Sequence, residues 1–141
     1  MIRATIDTSV LIRYLIKPST AIKELIEQRW LGDEVQMVTA LDLVAELKGV
    51  LKRDYIQALI RPEEGQALLD AITQKADILP ALGPVPVYTR DPKDDKFVAC
   101  AVAGDANYLI TEDKDMLILE VVGDVRIVTP YDFLRAAPKR S

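Results

Sequence analysis

The 141 residues carry 18 Lys and Arg against 22 Asp and Glu, a formal net charge of -4, with 50% of residues hydrophobic and 28% charged. This is the make-up of one globular domain, and it excludes a disordered chain or a bilayer-spanning one. The acidic balance also excludes a protein that grips nucleic acid through a broad positive face, although a site that meets phosphate through metal ions would itself be acidic.

Histidine is absent, which removes the usual general base near neutral pH, imidazole ligands for zinc, and every catalytic triad built on His. The single cysteine, Cys100, sits among Val98, Ala99, Ala101 and Val102; it permits no internal disulfide and reads as a buried thiol in a reducing cytoplasm. The apolar start of the chain is broken by Asp7 and Arg13 and lacks a small-residue cleavage pattern, so neither a signal peptide nor a membrane span is expected.

A first strand is predicted over residues 3–7, followed by helical periodicity through Leu15 and a break at Lys17-Pro18-Ser19. Ser19 or Thr20 caps a second helix, whose apolar positions Ile22, Leu25 and Ile26 lead to Trp30, in the core, and a stop at Gly32. Residues 34–39 read as a strand, and residues 41–53 place Leu43, Leu47, Val50 and Leu51 on one helical face. Pro62 suits the first turn of a further helix with Glu63 and Glu64 beside it. Residues 78–88 hold four prolines or glycines and are expected to be irregular or an edge strand. The stretch RDPKDDKFVACA, residues 90–101, opens a helix that ends at Gly104. A third core strand over 107–111, a short helix over 113–119, a fourth strand over 125–129 and a last helical turn after Pro130 complete the chain. Strands alternating with helices predict a parallel sheet covered on both sides, and such sheets gather ligands beyond the carboxyl ends of their strands.

On that map Asp7 closes the first strand, Asp94 and Asp95 open a helix, and Asp113 and Asp115 follow the third core strand. All of them fall on one edge. Glu46 lies in mid-helix at the margin of the apolar stripe, one turn after Asp42. Each acid has an ordinary alternative: the aspartates can cap or charge-stabilise helix starts, worth about 0.3–1 kcal/mol, and Glu46 can be a solvated glutamate. Together they are harder to dismiss, because carboxylates about 6 Å apart repel by roughly 3 kcal/mol per pair at an effective dielectric of 20. Such a cluster holds protons or divalent cations, and oxygen-only ligands point to Mg²⁺ or Mn²⁺ rather than zinc.

The runs IDTSVLI at 6–12, VAELKGVL at 44–51, DPKDDKFVACAVAGDANYLITEDKDML at 91–117 and IVTPYDFL at 127–134 resemble, in this order, PIN-domain proteins. The resemblance is to the toxin-like, VapC-like branch of bacterial toxin–antitoxin systems, and it spans nearly the whole chain. It implies a three-layer α/β fold over residues 1–141, with a central parallel sheet of four to five strands between helices. It also implies a ribonuclease dependent on Mg²⁺ or Mn²⁺ that leaves a 3′-hydroxyl and a 5′-phosphate. The family's catalytic and metal-binding acids fall on Asp7, Glu46, Asp95 and Asp113, with Asp115 as a fifth, outer metal acid. Thr8, Ser9 and Thr111 match supporting hydroxyl positions. Asp95 is preferred for its spacing to Val98 and Ala99, with Asp94, one residue away, as the alternative ligand. Of the cations flanking these acids (Arg13, Lys17, Lys48, Lys52, Arg53, Arg90, Lys93, Lys96), Arg53 ranks first for RNA, two helical turns after Glu46 on nearly the same line. The partners implied are RNA, a cognate antitoxin and a second copy in a homodimer.

Two enzyme rivals share an acid at the end of the first strand. An aspartyl-nucleophile phosphatase wants a second acid two residues later, where this chain has Ser9, and a receiver domain wants paired acids at that turn. The nonenzymatic rival is an inactive PIN-like binding or scaffold protein whose acids are a vestige.

Overall fold

Six short strands, β1 (Ile2–Ile6), β2 (Val35–Ala40), β3 (Asp77–Leu79), β4 (Tyr108–Ile110), β5 (Val121–Val122) and β6 (Val125–Val128), form one sheet in the order β3-β2-β1-β4-β6-β5. The structure, a computed structural model, describes residues 1–137. Five strands run parallel, and β5 turns back antiparallel along β6. The expected sheet of four to five parallel strands is thus present and is extended by a two-residue antiparallel edge. The turn that makes this edge uses Gly123 at φ +57°, a conformation that costs glycine little and other residues more.

Eight helices lie among the described residues: α1 (Thr8–Ile16), α2 (Thr20–Glu24), α3 (Leu41–Leu51), α4 (Asp54–Gln57), α5 (Pro62–Lys75), α6 (Asp95–Ala103), α7 (Lys114–Leu117) and α8 (Pro130–Ala136). After Glu24, α2 widens into a π-helical turn over Leu25–Trp30, which keeps Leu25, Ile26, Arg29 and Trp30 all buried. Ser19 caps α2 by accepting the Ile22 N–H at 3.2 Å, and Thr129 caps α8 by accepting the Asp132 N–H at 3.0 Å.

Alternation along the strands splits the core in two. Ala4, Ile6, Val35, Met37, Tyr108 and Ile110 face the α1, α2, α5 and α8 side, where Trp30 and Phe133 are fully buried. Val38, Ala40, Leu109, Val125 and Ile127 face the other side, against Phe97, Val98, Cys100 and Ala101 of α6 and Met116 of α7. Residues buried on both faces read as continuous apolar runs, which is the signature of a covered parallel sheet. Gly104 lets α6 end close against the sheet: a Cβ there would meet Val38 Cγ1 at 2.3 Å.

The chain moves outward from β1 to β2 and β3, then returns to place β4 on the other side of β1. The order of strands therefore reverses between β1 and β4. A crevice opens beyond their carboxyl ends at such a reversal, and the acids lie there.

Candidate metal centre

Asp7 follows the last residue of β1 and caps α1, its Oδ1 accepting the Ser9 N–H at 3.2 Å. Capping uses only one of its oxygens. Oδ2 accepts the hydroxyls of Ser9 at 2.9 Å and Thr111 at 2.8 Å. Thr111 comes from the end of the neighbouring β4 and also accepts the Asp113 N–H at 3.0 Å, so one buried hydroxyl ties two acids together. Asp113 Oδ1 accepts the Asp115 N–H at 2.8 Å and caps α7.

The adjacent Asp94 and Asp95 part ways. Asp95 Oδ1 accepts the backbone N–H groups of Tyr88 at 2.9 Å and Thr89 at 2.8 Å, so it anchors the irregular segment leading into α6. Burial pushes this carboxyl up, but the two N–H donors outweigh that and hold it below its ordinary value. Asp94 makes no side-chain cap for α6, and it lines the same cavity as Asp7, Glu46 and Asp113. Asp95 Oδ1 is thus turned to the 88–89 backbone, and where Asp95 was expected it is Asp94 that lies with Asp113 in the cavity lining.

Oxygens of Asp94, Asp113 and Asp115 lie within 4.8 Å of one another. Asp94 Oδ2 is buried and has no hydrogen-bond partner. Desolvation, then the charge of Asp113 and a side-chain hydrogen bond with it, with Asp91 and Asp7 adding, pushes the Asp94 carboxyl up to about 7. Burial likewise raises Asp7 despite the hydroxyls of Thr111 and Ser9, and the charge of Glu46 adds to the rise. A buried acid with an unpartnered oxygen in an all-oxygen cluster fits a hard divalent cation, which supplies the missing positive partner.

Glu46, on α3, projects toward this cluster and is ion-paired with the Lys96 ammonium of α6. Asp42, one turn earlier on α3, accepts the Leu82 N–H at 3.2 Å through Oδ1. Arg53 lines the cavity but not as a continuation of α3, which ends at Leu51; it precedes α4, and its guanidinium donates to Tyr55 Oη at 3.3 Å. Arg13 is engaged by Glu112 through two bonds of 2.6 and 2.8 Å, and Arg90 by Asp115 at 2.7 Å.

The cavity encloses about 1090 Å³, and Thr8 and Ser9 line it with the acids. Its apolar wall is Ile12, Ile16, Val50 and Ile56. Two contributors went unrecognised in the sequence: Asp91, which adds to the field on Asp94, and Lys96, counted there only as one flanking cation. Pairing between α3 and α6 carries no local signal that could have shown the second.

A family model for the PIN domain matches residues 3–115. No curated protein matches the chain. Among solved structures, the fold is similar to VapBC2 from Rickettsia felis bound to a DNA fragment from their promoter, at 15% identity and a TM-score of 0.58, over 89% of this chain and 97% of that one. It is also similar to FitAcB from Neisseria gonorrhoeae, at 17% identity and a TM-score of 0.60, over 91% of this chain and 98% of that one. With four-fifths of its length inside the matched region and its acids gathered where β1 and β4 end, the chain belongs to the PIN-domain family.

Proposed function

We propose that this chain is an endoribonuclease dependent on Mg²⁺ or Mn²⁺ and the toxin of a toxin–antitoxin pair, working in the cytoplasm. The observation that carries this reading is the buried, unpartnered Asp94 Oδ2 beside Asp113 and Asp115. Asp7, Glu46, Asp94 and Asp113 would hold the metal, with Asp115 as an outer acid. When bound, one or two such ions neutralise the phosphodiester, acidify an attacking water and stabilise the leaving oxygen.

The chain's own side chains do the rest. Thr111 and Ser9 fix the Asp7 carboxylate in one orientation through two hydroxyl bonds. Arg53, Lys17 and Lys93 on the cavity wall meet flanking phosphates, which compensates for a net charge of -4. Similarity of fold to VapBC2 and FitAcB supports an antitoxin that covers this cavity, and a homodimer is the quaternary state we assign.

Incubation of the purified protein with single-stranded and structured RNAs, with Mn²⁺ or with EDTA, tests the activity. Metal-dependent cleavage leaving 5′-phosphate ends, lost in Asp7→Asn, is expected. Cleavage that persists in EDTA and in the variant refutes the reading, and a wild type that binds Mn²⁺ yet cleaves no RNA favours the inactive binding protein.

A further inference from the structure

The cavity lining holds the carboxylates of Asp7, Glu46, Asp91, Asp94 and Asp113 and the cations of Arg13, Lys17, Arg53, Lys93 and Lys96. Among the described residues, only one of these cations is ion-paired with one of these acids: Lys96 with Glu46. The position is a poor one for a lysine that serves the helix. Lys96 is in the first turn of α6, where the helix dipole disfavours a cation. Both side chains of the pair are only about one-quarter exposed, at 28% and 27%, so the ammonium is sequestered with the acid instead of being left in water. Its nitrogen also lies 5.7 Å from the centroid of the Phe97 ring, a second favourable neighbour along the same stem.

From this geometry we infer that Lys96 is a phosphate-binding residue held in reserve on Glu46, displaced from it by the divalent ion and handed over to the substrate phosphate. The inference rests on the metal reading above. A monovalent ammonium and a divalent ion cannot both sit on one carboxylate without strong mutual repulsion, so occupation of Glu46 by the metal expels the ammonium. The cavity's remaining acids would share that same ion. The one acceptor introduced with the metal is the anionic substrate, and an ammonium is a compact donor well suited to a single phosphate oxygen.

The two roles pull a neutral substitution in opposite directions for metal and for nucleotide. Mn²⁺ titration by calorimetry, then adenosine 5′-monophosphate titration at saturating Mn²⁺, is performed on wild type, Lys96→Met, Lys96→Gln and Lys96→Arg. Loss of the competing ion pair is expected to tighten Mn²⁺ binding about two- to fivefold in the neutral variants. Loss of the charged donor is expected to weaken nucleotide binding about tenfold. Lys96→Arg should stay close to wild type on both. Unchanged affinities in Lys96→Met and Lys96→Gln, or shifts in the same direction for metal and nucleotide, overturn the inference. If the wild type takes up no Mn²⁺, the metal reading itself fails; if it does and the neutral variants match it, only the role of Lys96 is refuted.

Discussion

Replacing Asp94 by Asn should make the metal-free protein more stable, which is unusual for a buried polar residue. Carboxylate oxygens of Asp113 and Asp115 approach that of Asp94 within 4.8 Å, and one such pair repels by about 3.5 kcal/mol at an effective dielectric of 20 or about 0.9 kcal/mol in water. Arg90 compensates Asp115 in part, so Asp113 is the main opponent. Asn keeps the shape, removes the charge and offers N–H donors to the neighbouring acid. A gain of about 1–3 kcal/mol is expected above pH 8, or roughly 3 °C in Tm per kcal/mol for a domain of this size. The pH dependence carries the sign. The native Asp94 carboxyl titrates near 7 against an ordinary 3.8. Between those values the native state holds a proton that the unfolded chain releases, so wild-type stability falls as pH rises from about 4 to 7. The Asn variant lacks this slope, and the two proteins should converge near pH 4–5. Urea unfolding of EDTA-treated samples at pH 5, 7 and 8.5 measures the gap. Saturating Mn²⁺ should close most of the gap or reverse it, since a ligand at one hundred times its Kd adds about 2.7 kcal/mol to a wild type that binds it more tightly than the variant. A variant that is no more stable than wild type at pH 8.5, or equally ahead at pH 5 and 8.5, refutes the electrostatic account.

Its neighbour should respond in the opposite sense. Asp95→Ala removes the acceptor of two backbone N–H groups and should cost about 1–3 kcal/mol, with limited proteolysis accelerated between residues 80 and 90 while Mn²⁺ still raises Tm. Thr111→Val strips hydroxyl bonds from both Asp7 and Asp113; a loss of about 1–3 kcal/mol by urea unfolding and weaker Mn²⁺ binding by calorimetry are expected. Gly104→Ala forces a Cβ against Val38, and thermal melts should show a loss of about 1–3 kcal/mol. Thr129→Ala removes the cap of α8 at about 1 kcal/mol, with no effect on Mn²⁺ affinity, which makes it a control for general destabilisation.

Periodicity located β1, β2, β4, β6 and the longer helices to within a residue or two because their apolar spacing is set by burial against the sheet. What it could not show is structure fixed by contacts remote in the chain. The two residues of β5 have no pattern of their own and form only because β6 offers an edge. The four residues of α4 are too few for a helical repeat, and the loss of α3 at Leu51 moved Arg53 off the line drawn from Glu46. In the π-helical turn, Leu25, Ile26 and Trp30 satisfy a regular helix as well as a widened one. The site shows the same limit at finer scale. Asp7, Glu46 and Asp113 were marked by their positions at strand ends or on a helix margin, whereas the choice between Asp94 and Asp95 turns on which one the 88–89 backbone claims. One residue of helical phase, about 100°, decides it, and nothing within residues 90–101 sets that phase.

The central register pairs Ala4 with Tyr108 and Ile6 with Ile110, so the strand that closes the crevice is synthesised some hundred residues after the one it joins. The residues up to β3 hold Asp7 and Glu46, yet they lack Thr111 to aim Asp7 and every acid contributed beyond β3. A chain still being synthesised consequently cannot assemble the acid cluster until β4 and the start of α7 are available. The order of strands thereby puts completion of the site in the last part of the chain to be made.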